Sequence, residues 1–345
     1  MRRGALILMT LVCVSAGVFF AGGTERAAAV EEVRAEAPAP LPEFDRLCVQ
    51  SPDGTALFAA EAQPEQAEPE PTIMVLDGGA VRQMALEDYI FHVVAGEMPA
   101  SYAEEALKSQ AVAARTYAAW KRKSGCSRAA GAEVCTDSTH CMAYMSEEEL
   151  REGWGERYEE YSARIREAVE ATAGQVLCYD GEPIQALFHS SSSGSTEDAM
   201  AVWGADCPYL RSVSSGEKAA ARTVRFSAEK LAAQLNRAFP GAELTKSNIG
   251  KNFRVKSYTQ SGRVKSVQVG QVSAEGKAVR TALHLSSTDF SIKEEDGEIL
   301  ITARGYGHGV GMSQDGANDM ALRGSSAEEI LRHYYPGTVL GTWPE

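Results

Sequence analysis

The run Glu105-Ala-Leu-Lys-Ser-Gln-Ala-Val-Ala-Ala-Arg-Thr-Tyr117 is rich in alanine and other strong helix formers, and it predicts a long helix. Ser101 and Glu104 lie three residues apart, which is the pattern of a capping box, so we expect the helix to begin there. The helix runs to about Lys123, and Gly125 ends it. The elements on either side of this helix decide the fold class.

The segment before this helix predicts a hairpin and a shorter helix. Residues 72–76 and 80–84 flank the turn Asp77-Gly78-Gly79, which is typical of a β-hairpin. The apolar pattern that follows predicts a helix over residues 86–95.

The segments after the long helix predict more helices and hairpins in no regular alternation. Helices are expected over residues 156–173 and 227–239, and near the C-terminus, where Ser326 and Glu329 form a second capping box. Strands are expected over residues 175–179 and 183–189 and in hairpins around Ser261-Gly262 and Asp296-Gly297. A parallel sheet with helical crossovers needs strict alternation, so we predict an α+β fold of antiparallel hairpins with several helices.

The N-terminal part of the chain differs in composition from the rest. Arg2 and Arg3 precede an apolar run over residues 5–22, which indicates an export signal or a single membrane anchor. We expect an uncleaved anchor over residues 1–23, with the rest of the chain outside the cytoplasm. Residues 24–71 are rich in Ala, Glu and Pro and predict a disordered stalk. The folded domain, of one or two lobes, is expected over residues 72–345.

The net charge excludes one class of partner. The chain carries a formal charge of −13 and has an isoelectric point near 5.1. A protein that neutralises phosphates needs a surplus of Lys and Arg, so a nucleic-acid binder is not expected.

Four soft metal ligands lie within one loop rich in Gly and Ser. Cys126, Cys135, His140 and Cys141 match the S and N donors of a tetrahedral structural zinc site. Their spacing is not that of a standard zinc finger, and a disulfide among these cysteines is the alternative outside the cytoplasm. With four protein ligands, no position would remain open for water, so the metal would be structural.

One carboxylate lies where its pKa is open to perturbation. Glu97, in Val94-Ala-Gly-Glu-Met-Pro99, lies between two predicted helices among apolar neighbours, which would raise its pKa and suit it to general acid catalysis. The alternative is a solvated loop glutamate. Lys108 and Arg115 are seven residues apart, hence on one face of the long helix, where they either line a groove or form a solvated basic stripe.

Two polar segments complete the candidate residues. Phe188-His189 followed by a serine-rich stretch places an imidazole and several hydroxyls at a strand end. Gly305 to Gly311 alternate with other residues around His308, and alternate glycines let the backbone approach a ligand or another segment closely. Neither the dinucleotide fingerprint nor the phosphate loop fits this spacing.

Taken together, the segments resemble the stage II sporulation protein D family of bacterial peptidoglycan lytic transglycosylases and the related amidase enhancers. The resemblance rests on separated motifs that occur in order: Leu86-Glu-Asp-Tyr, Gly96-Glu-Met-Pro, Glu105 to Tyr117 as quoted above, Phe188-His-Ser-Ser, Val202-Trp-Gly with Pro208-Tyr-Leu, Gly305-Tyr-Gly-His-Gly-Val-Gly-Met-Ser-Gln and His333-Tyr-Tyr-Pro-Gly-Thr.

The resemblance implies that Glu97 is the catalytic acid of an enzyme that cleaves glycan strands whose stem peptides have been removed, during engulfment of the forespore. One carboxylate suffices, because the muramic acid C6 hydroxyl attacks its own anomeric carbon and gives a 1,6-anhydro product, whereas a glycoside hydrolase usually needs two carboxylates. The helices and hairpins would frame a glycan-binding groove. The motif positions that we assign to this groove are Lys108, Arg115, His189, Ser191, Tyr306, His308, Ser313 and Gln314.

The chain departs from the family pattern at two positions. Some members bind zinc through two Cys and two His; here Cys135, His140 and Cys141 match, and Cys126 replaces the second histidine. Asp315 stands where the family usually has Tyr; we expect a surface change, the alternative being a second acid that would favour hydrolysis.

A second class of function is a glycan-binding protein that stimulates a cell-wall amidase without cutting the strand. The expected partners are peptidoglycan glycan strands, a cell-wall amidase or endopeptidase of the engulfment machinery, and the membrane protein that anchors it. The expected location is the cell membrane, with one N-terminal anchor and the catalytic domain outside the cytoplasm.

Overall fold

Helices and mostly antiparallel strands follow each other irregularly along residues 70–344, which are the residues that the computed structural model describes. The predicted α+β class is confirmed. The predicted anchor over residues 1–23 lies outside the described residues, as does the predicted stalk except for its last two residues. Within residues 70–344, no helix is both long enough and apolar enough to cross a membrane.

The first part of the described chain is mainly helical. Its hairpin is the predicted one, and Ile73 and Val75 point their side chains into the core. The elements are β1 (Thr72–Asp77), β2 (Ala80–Ala85), α1 (Leu86–Glu97), α2 (Glu104–Ser124), β3 (Val134–Cys135), α3 (Glu147–Trp154), α4 (Tyr158–Glu170), β4 (Gln175–Tyr179), β5 (Glu182–Pro183), β6 (Phe188–His189) and α5 (Ala199–Trp203).

The remaining elements begin with two three-stranded sheets and short helices. The last elements of the chain then pack with the first part again. Both hairpins predicted from Ser261-Gly262 and Asp296-Gly297 are confirmed. The elements are β7 (Ala221–Ser227), α6 (Ala228–Ala238), α7 (Ile249–Asn252), β8 (Phe253–Tyr258), β9 (Val264–Val269), β10 (Val272–Glu275), α8 (Gly276–Leu283), β11 (Phe290–Glu295), β12 (Glu298–Arg304), β13 (Met312–Ser313), α9 (Gln314–Leu322), α10 (Ala327–Tyr334) and β14 (Val339–Thr342).

Two separate hydrophobic cores divide the described chain into lobes. The helical lobe, residues 70–220 and 305–344, packs around α2, which contacts α1, α4, α9, α10 and β4. The hairpin lobe, residues 221–304, has its own core between its two sheets and the helices α6 and α8. The sheets have the strand orders β2-β1-β3, β14-β4-β5, β13-β6, β10-β9-β8 and β11-β12-β7; the β1/β3 and β6/β13 pairs are parallel.

The predicted capping box at the start of the long helix is wrong. The cap residue of α2 is Ala103, and no side-chain hydrogen bond closes on it. The chain turns earlier, where the Tyr102 N–H donates to Pro99 O, and the Ala103 N–H donates to Asn318 Oδ1 at 2.8 Å. Asn318, from the distant helix α9, thus accepts the N–H of the cap residue, which is the role that a capping box gives to its glutamate.

The helix predicted over residues 156–173 is confirmed as α4, Tyr158–Glu170, but the helix α3 before it was not predicted. Ser146 and Glu149 form a complete capping box that starts α3, and a single 3₁₀ turn at residues 155–157 separates α3 from α4. The strand predicted over residues 183–189 is reduced to two short pieces, β5 and β6. The capping box of Ser326 with Glu329 is confirmed.

Candidate active site

Glu97 is the last residue of α1 and is half-buried. Its Oε1 accepts the N–H of Ala143 at 2.6 Å, and the Gln314 side chain is within hydrogen-bonding reach of the same carboxyl. Burial raises the pKa of Glu97 above the usual 4.5, although both hydrogen bonds favour the charged form and oppose that rise. A carboxyl of this kind holds its proton to higher pH than an exposed one and can still accept a proton later.

Gly96 explains how the backbone of the neighbouring loop reaches this carboxyl. A Cβ on Gly96 would lie 3.2 Å from both Ala143 C and Tyr144 N, tighter than a side chain normally packs. The absence of a side chain at residue 96 therefore lets residues 143–145 lie against the end of α1. This contact places the Ala143 N–H on Glu97.

Gln314 connects Glu97 to the long helix. Its Nε2 donates to Gln110 Oε1 at 3.3 Å, and the buried Gln110 Nε2 has no hydrogen-bond partner among the described residues. Gln314 was predicted to belong to the site, whereas Gln110 was not. Helical spacing shows which face a residue occupies and does not show that the face meets α9.

Asp315, expected to be a surface change, is half-buried and bonded. Its Oδ1 accepts the Tyr102 hydroxyl, and its N–H donates to Ser190 O. The prediction that Asp315 is a surface residue is therefore wrong. The carboxylate is held beside the residue that contacts Glu97.

The short parallel pair β6/β13 brings the serine-rich and glycine-rich segments together. His189 pairs with Ser313 in this register, and Ser191 exchanges backbone hydrogen bonds with Tyr306. His189 is buried, with Nε2 2.6 Å from Ser192 Oγ and Nδ1 3.2 Å from Val310 O. Burial, followed by the charge of His308, lowers the pKa of His189, so this imidazole is neutral at physiological pH.

The alternate glycines allow a close approach of backbone to backbone, as predicted. Gly305 and Gly311 have φ of +71° and +73°, and a Cβ would lie 2.6 Å from Ser191 O at the first and 1.9 Å from Leu187 O at the second. The partner in this approach is another segment of the same chain. The glycines thus build the junction that holds His189, Ser313 and Gln314.

Ser313 and Ser192 bind Glu217 at this junction. The Ser313 hydroxyl donates to Glu217 Oε1 at 2.6 Å and accepts the Gly316 N–H, which caps α9. The Ser192 N–H donates to the same Glu217 oxygen at 2.7 Å. Glu217 was missed from the sequence because it is 96 residues from Ser313 and carries no motif of its own.

Lys108 and Arg115 share a helix but not an environment. Lys108 pairs with Glu104 and Glu105 near the surface. The Arg115 side chain is 0% exposed, and its guanidinium binds Glu87 at 2.5 and 2.9 Å. A glycan cannot contact a side chain with no exposed surface, so the groove role predicted for Arg115 is wrong and the ion pair serves the fold.

His308 lies close to side chains of both lobes. Its ring centroid is 5.7 Å from that of His189 and 5.5 Å from that of the half-exposed Trp203. Burial, assisted by the charges of Arg280 and Arg263, lowers the pKa of His308 to about 4. The imidazole is therefore neutral at physiological pH, and Nδ1 accepts the Val310 N–H at 3.1 Å.

The four predicted metal ligands are brought together by the loop after α2. The ligand atoms of Cys126, Cys135, His140 and Cys141 all lie within 4.8 Å of one another. The three sulfur atoms are 3.7, 3.2 and 3.4 Å from His140 Nδ1. The five cysteines among residues 70–344 are all free, so no disulfide joins the loop. This donor set can hold one metal ion with four protein ligands.

Comparison with known proteins gives matches to one family. A model of the family described as "Stage II sporulation protein" matches residues 77–179, which contain both Glu97 and the cysteine cluster. The chain is 38% identical over 266 residues to stage II sporulation protein D of Bacillus subtilis, covering 76% of each chain. The chain belongs to the stage II sporulation protein D family. Sporulation is therefore the setting of this protein.

Two further relatives place the chain within this family. Stage II sporulation protein D of Bacillus amyloliquefaciens is 36% identical over 263 residues, covering 75% of this chain and 74% of that one. A Bacillus subtilis protein named amidase enhancer is 30% identical over 302 residues, covering 73% of this chain and 40% of the enhancer. The stage II sporulation protein D family thus shares sequence with a protein whose name refers to stimulation of an amidase.

Proposed function

We propose that this chain is a peptidoglycan lytic transglycosylase. It cleaves glycan strands that lack stem peptides and leaves 1,6-anhydro-N-acetylmuramic acid ends. The observation that carries the proposal is the carboxyl of the half-buried Glu97, whose pKa burial raises and which Ala143 and Gln314 hold in place.

The reaction needs one group that first donates and then accepts a proton. Protonated Glu97 gives its proton to the glycosidic oxygen as the bond to the anomeric carbon of muramic acid breaks. The C6 hydroxyl of the same sugar then attacks that carbon, and the Glu97 carboxylate takes the hydroxyl proton. The hydrogen bonds from Ala143 and Gln314 favour the charged form that exists between the two steps.

We assign a structural zinc ion to the cysteine cluster. Zn–S and Zn–N bonds of about 2.3 and 2.0 Å in a tetrahedron put sulfur and nitrogen ligands roughly 3.5 Å apart. The distances from His140 Nδ1 to the three sulfurs, 3.2 to 3.7 Å, fit that arrangement. When bound, zinc would crosslink residues 126–141 through Cys126, Cys135, His140 and Cys141, and it would supply no catalytic chemistry.

The same proposal covers location and partners. The apolar run over residues 5–22 supports an N-terminal anchor that keeps the catalytic domain outside the cytoplasm. The partners are glycan strands, an amidase or endopeptidase of the engulfment machinery that removes the stem peptides, and the membrane protein that anchors it. The similarity to a protein named amidase enhancer supports a functional link to such an amidase.

That similarity also favours a second candidate function. In this alternative, the chain binds glycan and stimulates a partner amidase without cutting the strand. Asp315 adds hydrolysis as a third candidate function, because a second acid near the groove would activate water.

Mass spectrometry of peptide-free glycan strands incubated with the purified protein separates these functions. We expect products with anhydro ends. Reducing ends would indicate hydrolysis and would direct attention to Asp315. Intact strands, together with retained glycan binding, would contradict the enzyme and support the enhancer.

A further inference from the structure

Trp203, Arg280 and Tyr306 form a surface patch that the proposed catalytic step does not use; we call it the arginine patch. Trp203 is 50% exposed and Tyr306 is 58% exposed, although both rings are large and apolar. Arg280 is half-buried. Exposed aromatic rings that flank a polar group are typical of a binding surface.

Two contacts join α8 and the turn after it to the segments that carry the two aromatic residues. At the start of α8, Lys277 Nζ donates to Val202 O at 3.4 Å, next to Trp203. One turn later, Arg280 Nε donates to Leu285 O at 3.3 Å, and the Gly307 N–H donates to Ser286 O at 3.0 Å, next to Tyr306. Arg280 therefore lies on the helix that joins the Trp203 side of the patch to the Tyr306 side.

His308 supports the patch without adding charge to it. Its ring packs on Trp203 with centroids 5.5 Å apart, and its Nδ1 is held by the Val310 N–H. Because its pKa is about 4, it is neutral at physiological pH. The positive charge of the patch therefore belongs to Arg280.

The two arginines nearest this junction differ in their acidic neighbours. Burial lowers the pKa of Arg263, and the surrounding carboxylates of Glu197, Asp289 and Glu217 oppose that change. Burial also lowers the pKa of Arg280, and the nearby positive charge of Arg263 lowers it further. Within residues 70–344, Arg280 forms no ion pair. Its positive charge is left for an anion from outside the described chain.

We propose that the arginine patch binds a muramic acid residue of the strand, with Arg280 paired to the lactyl carboxylate and the rings of Trp203 and Tyr306 packed on the sugar. This inference rests on the proposed function and names the feature of the substrate that the site selects. In intact peptidoglycan the lactyl carbonyl is an amide of the stem peptide and carries no charge. Removal of the peptide exposes a carboxylate, which a guanidinium binds through paired charge-assisted hydrogen bonds.

The patch is continuous with the Glu97 site through the backbone. Tyr306 is hydrogen-bonded to Ser191, and the same serine-rich segment pairs with β13, which ends one residue before Gln314. Gln314 reaches Glu97. A strand lying on the patch is therefore held by the same junction that positions a hydrogen-bond partner of the catalytic acid.

Binding by an inactive protein tests this inference apart from catalysis. The full-length Glu97→Gln protein is titrated with peptide-free strands and with the same strands whose lactyl carboxylates have been converted to methylamides. We expect the methylamide strands to bind about tenfold more weakly, because one charge-assisted contact is lost. Equal affinity for the two strands would overturn the inference whether or not any variant folds.

Variants assign the effect to Arg280. In the Glu97→Gln background, Arg280→Gln is expected to lower the affinity for carboxylate strands about tenfold and to leave the affinity for methylamide strands unchanged. Arg280→Lys recovers part of the loss, and Lys251→Ala, which removes an exposed positive charge on α7, changes neither affinity. If Arg280→Gln still binds carboxylate strands more tightly than methylamide strands by the same factor, the inference is overturned. If the wild-type protein yields no anhydro ends while Arg280→Gln loses the preference for carboxylate strands, the transglycosylase proposal fails and the proposed binding role of the arginine patch is retained.

Discussion

The helical lobe and the hairpin lobe each bury arginine, and they do so in opposite ways. In the helical lobe the guanidinium of Arg115 binds both carboxylate oxygens of Glu87 and the carbonyl oxygens of Gln175 and Val169. In the hairpin lobe Arg263 is 2% exposed, and its Nε and Nη1 have no partner among the described residues.

This difference in how buried arginines are paired indicates that the two lobes have different roles. In the helical lobe, the buried guanidinium of Arg115 is fully paired within the lobe. The hairpin lobe directs Arg263 toward Ser192 and Ser195 of the helical lobe and leaves Arg280 without an ion pair in the described chain. We therefore expect changes in the helical lobe to act on stability and chemistry, and changes at the inner face of the hairpin lobe to act on binding.

The largest effect on stability is expected from loss of metal in the helical lobe. With free zinc a thousandfold above its dissociation constant, binding adds about 4 kcal/mol to the free energy of unfolding. Cys135→Ser and chelation should each remove that amount in urea unfolding, while Cys178→Ser, a cysteine outside the cluster, keeps it. Metal analysis that finds no zinc in the wild-type protein would contradict the assignment.

The two buried arginines provide a direct test of the comparison. Arg115→Met leaves Glu87 without its partner, and we expect a loss of about 3 kcal/mol in the free energy of unfolding. Arg263→Met should cost about 1 kcal/mol, because Glu197 keeps its hydrogen bonds from Thr259, Ser261 and the Asp198 N–H. Equal losses in the two variants would show that the lobes do not differ in this way.

The glycine-rich junction within the helical lobe should be less costly to disturb. Gly311→Ala puts a Cβ against Leu187 O in a left-handed conformation, and we expect a loss of about 2 kcal/mol with weakening of the β6/β13 pair. Gly324→Ala, at φ +96° in open space, carries only the conformational cost of about 1 kcal/mol. Urea unfolding of both variants measures the difference between the two losses in free energy of unfolding. Equal losses would show that the close approach of Leu187 O does not require a glycine at residue 311.

The smallest expected effect is a shift in the pH dependence of cleavage. Since Glu97 acts first as an acid, activity should fall as pH rises through its pKa. Gln314 favours the charged form, so Gln314→Ala should raise the pKa of Glu97 further and move the alkaline limb of the kcat/KM profile to higher pH. A move of that limb to lower pH would contradict the role given to Gln314.

Local signals predicted local structure well. The Asp-Gly and Ser-Gly turns predicted their hairpins, and Ser326 with Glu329 predicted its helix start. The cap expected at Ser101 is wrong because α2 begins three residues later, after Ala103, whose N–H is accepted by Asn318, 215 residues away. A cap donated by a distant side chain leaves no pattern in the local sequence.

The same limit applies to the site. Glu97 and the four metal ligands could be named because each belongs to a short motif or a single loop. The environments of Arg115, Glu217 and Arg280 could not be predicted, because burial and charge pairing there depend on contacts between distant segments. Spacing along α2 placed Lys108 and Arg115 on one face and could not show that only one of them is covered.

The most direct test of the account is the rate of anhydro-product formation by Glu97→Gln. We expect a drop of about a thousandfold, with glycan binding and folding retained, because glutamine accepts the Ala143 N–H but cannot transfer a proton. Glu148→Gln, an exposed neighbour on α3, serves as the matched control and should cleave at the wild-type rate. A Glu97→Gln protein that cleaves glycan as fast as this control would contradict the assignment of Glu97 as the catalytic acid.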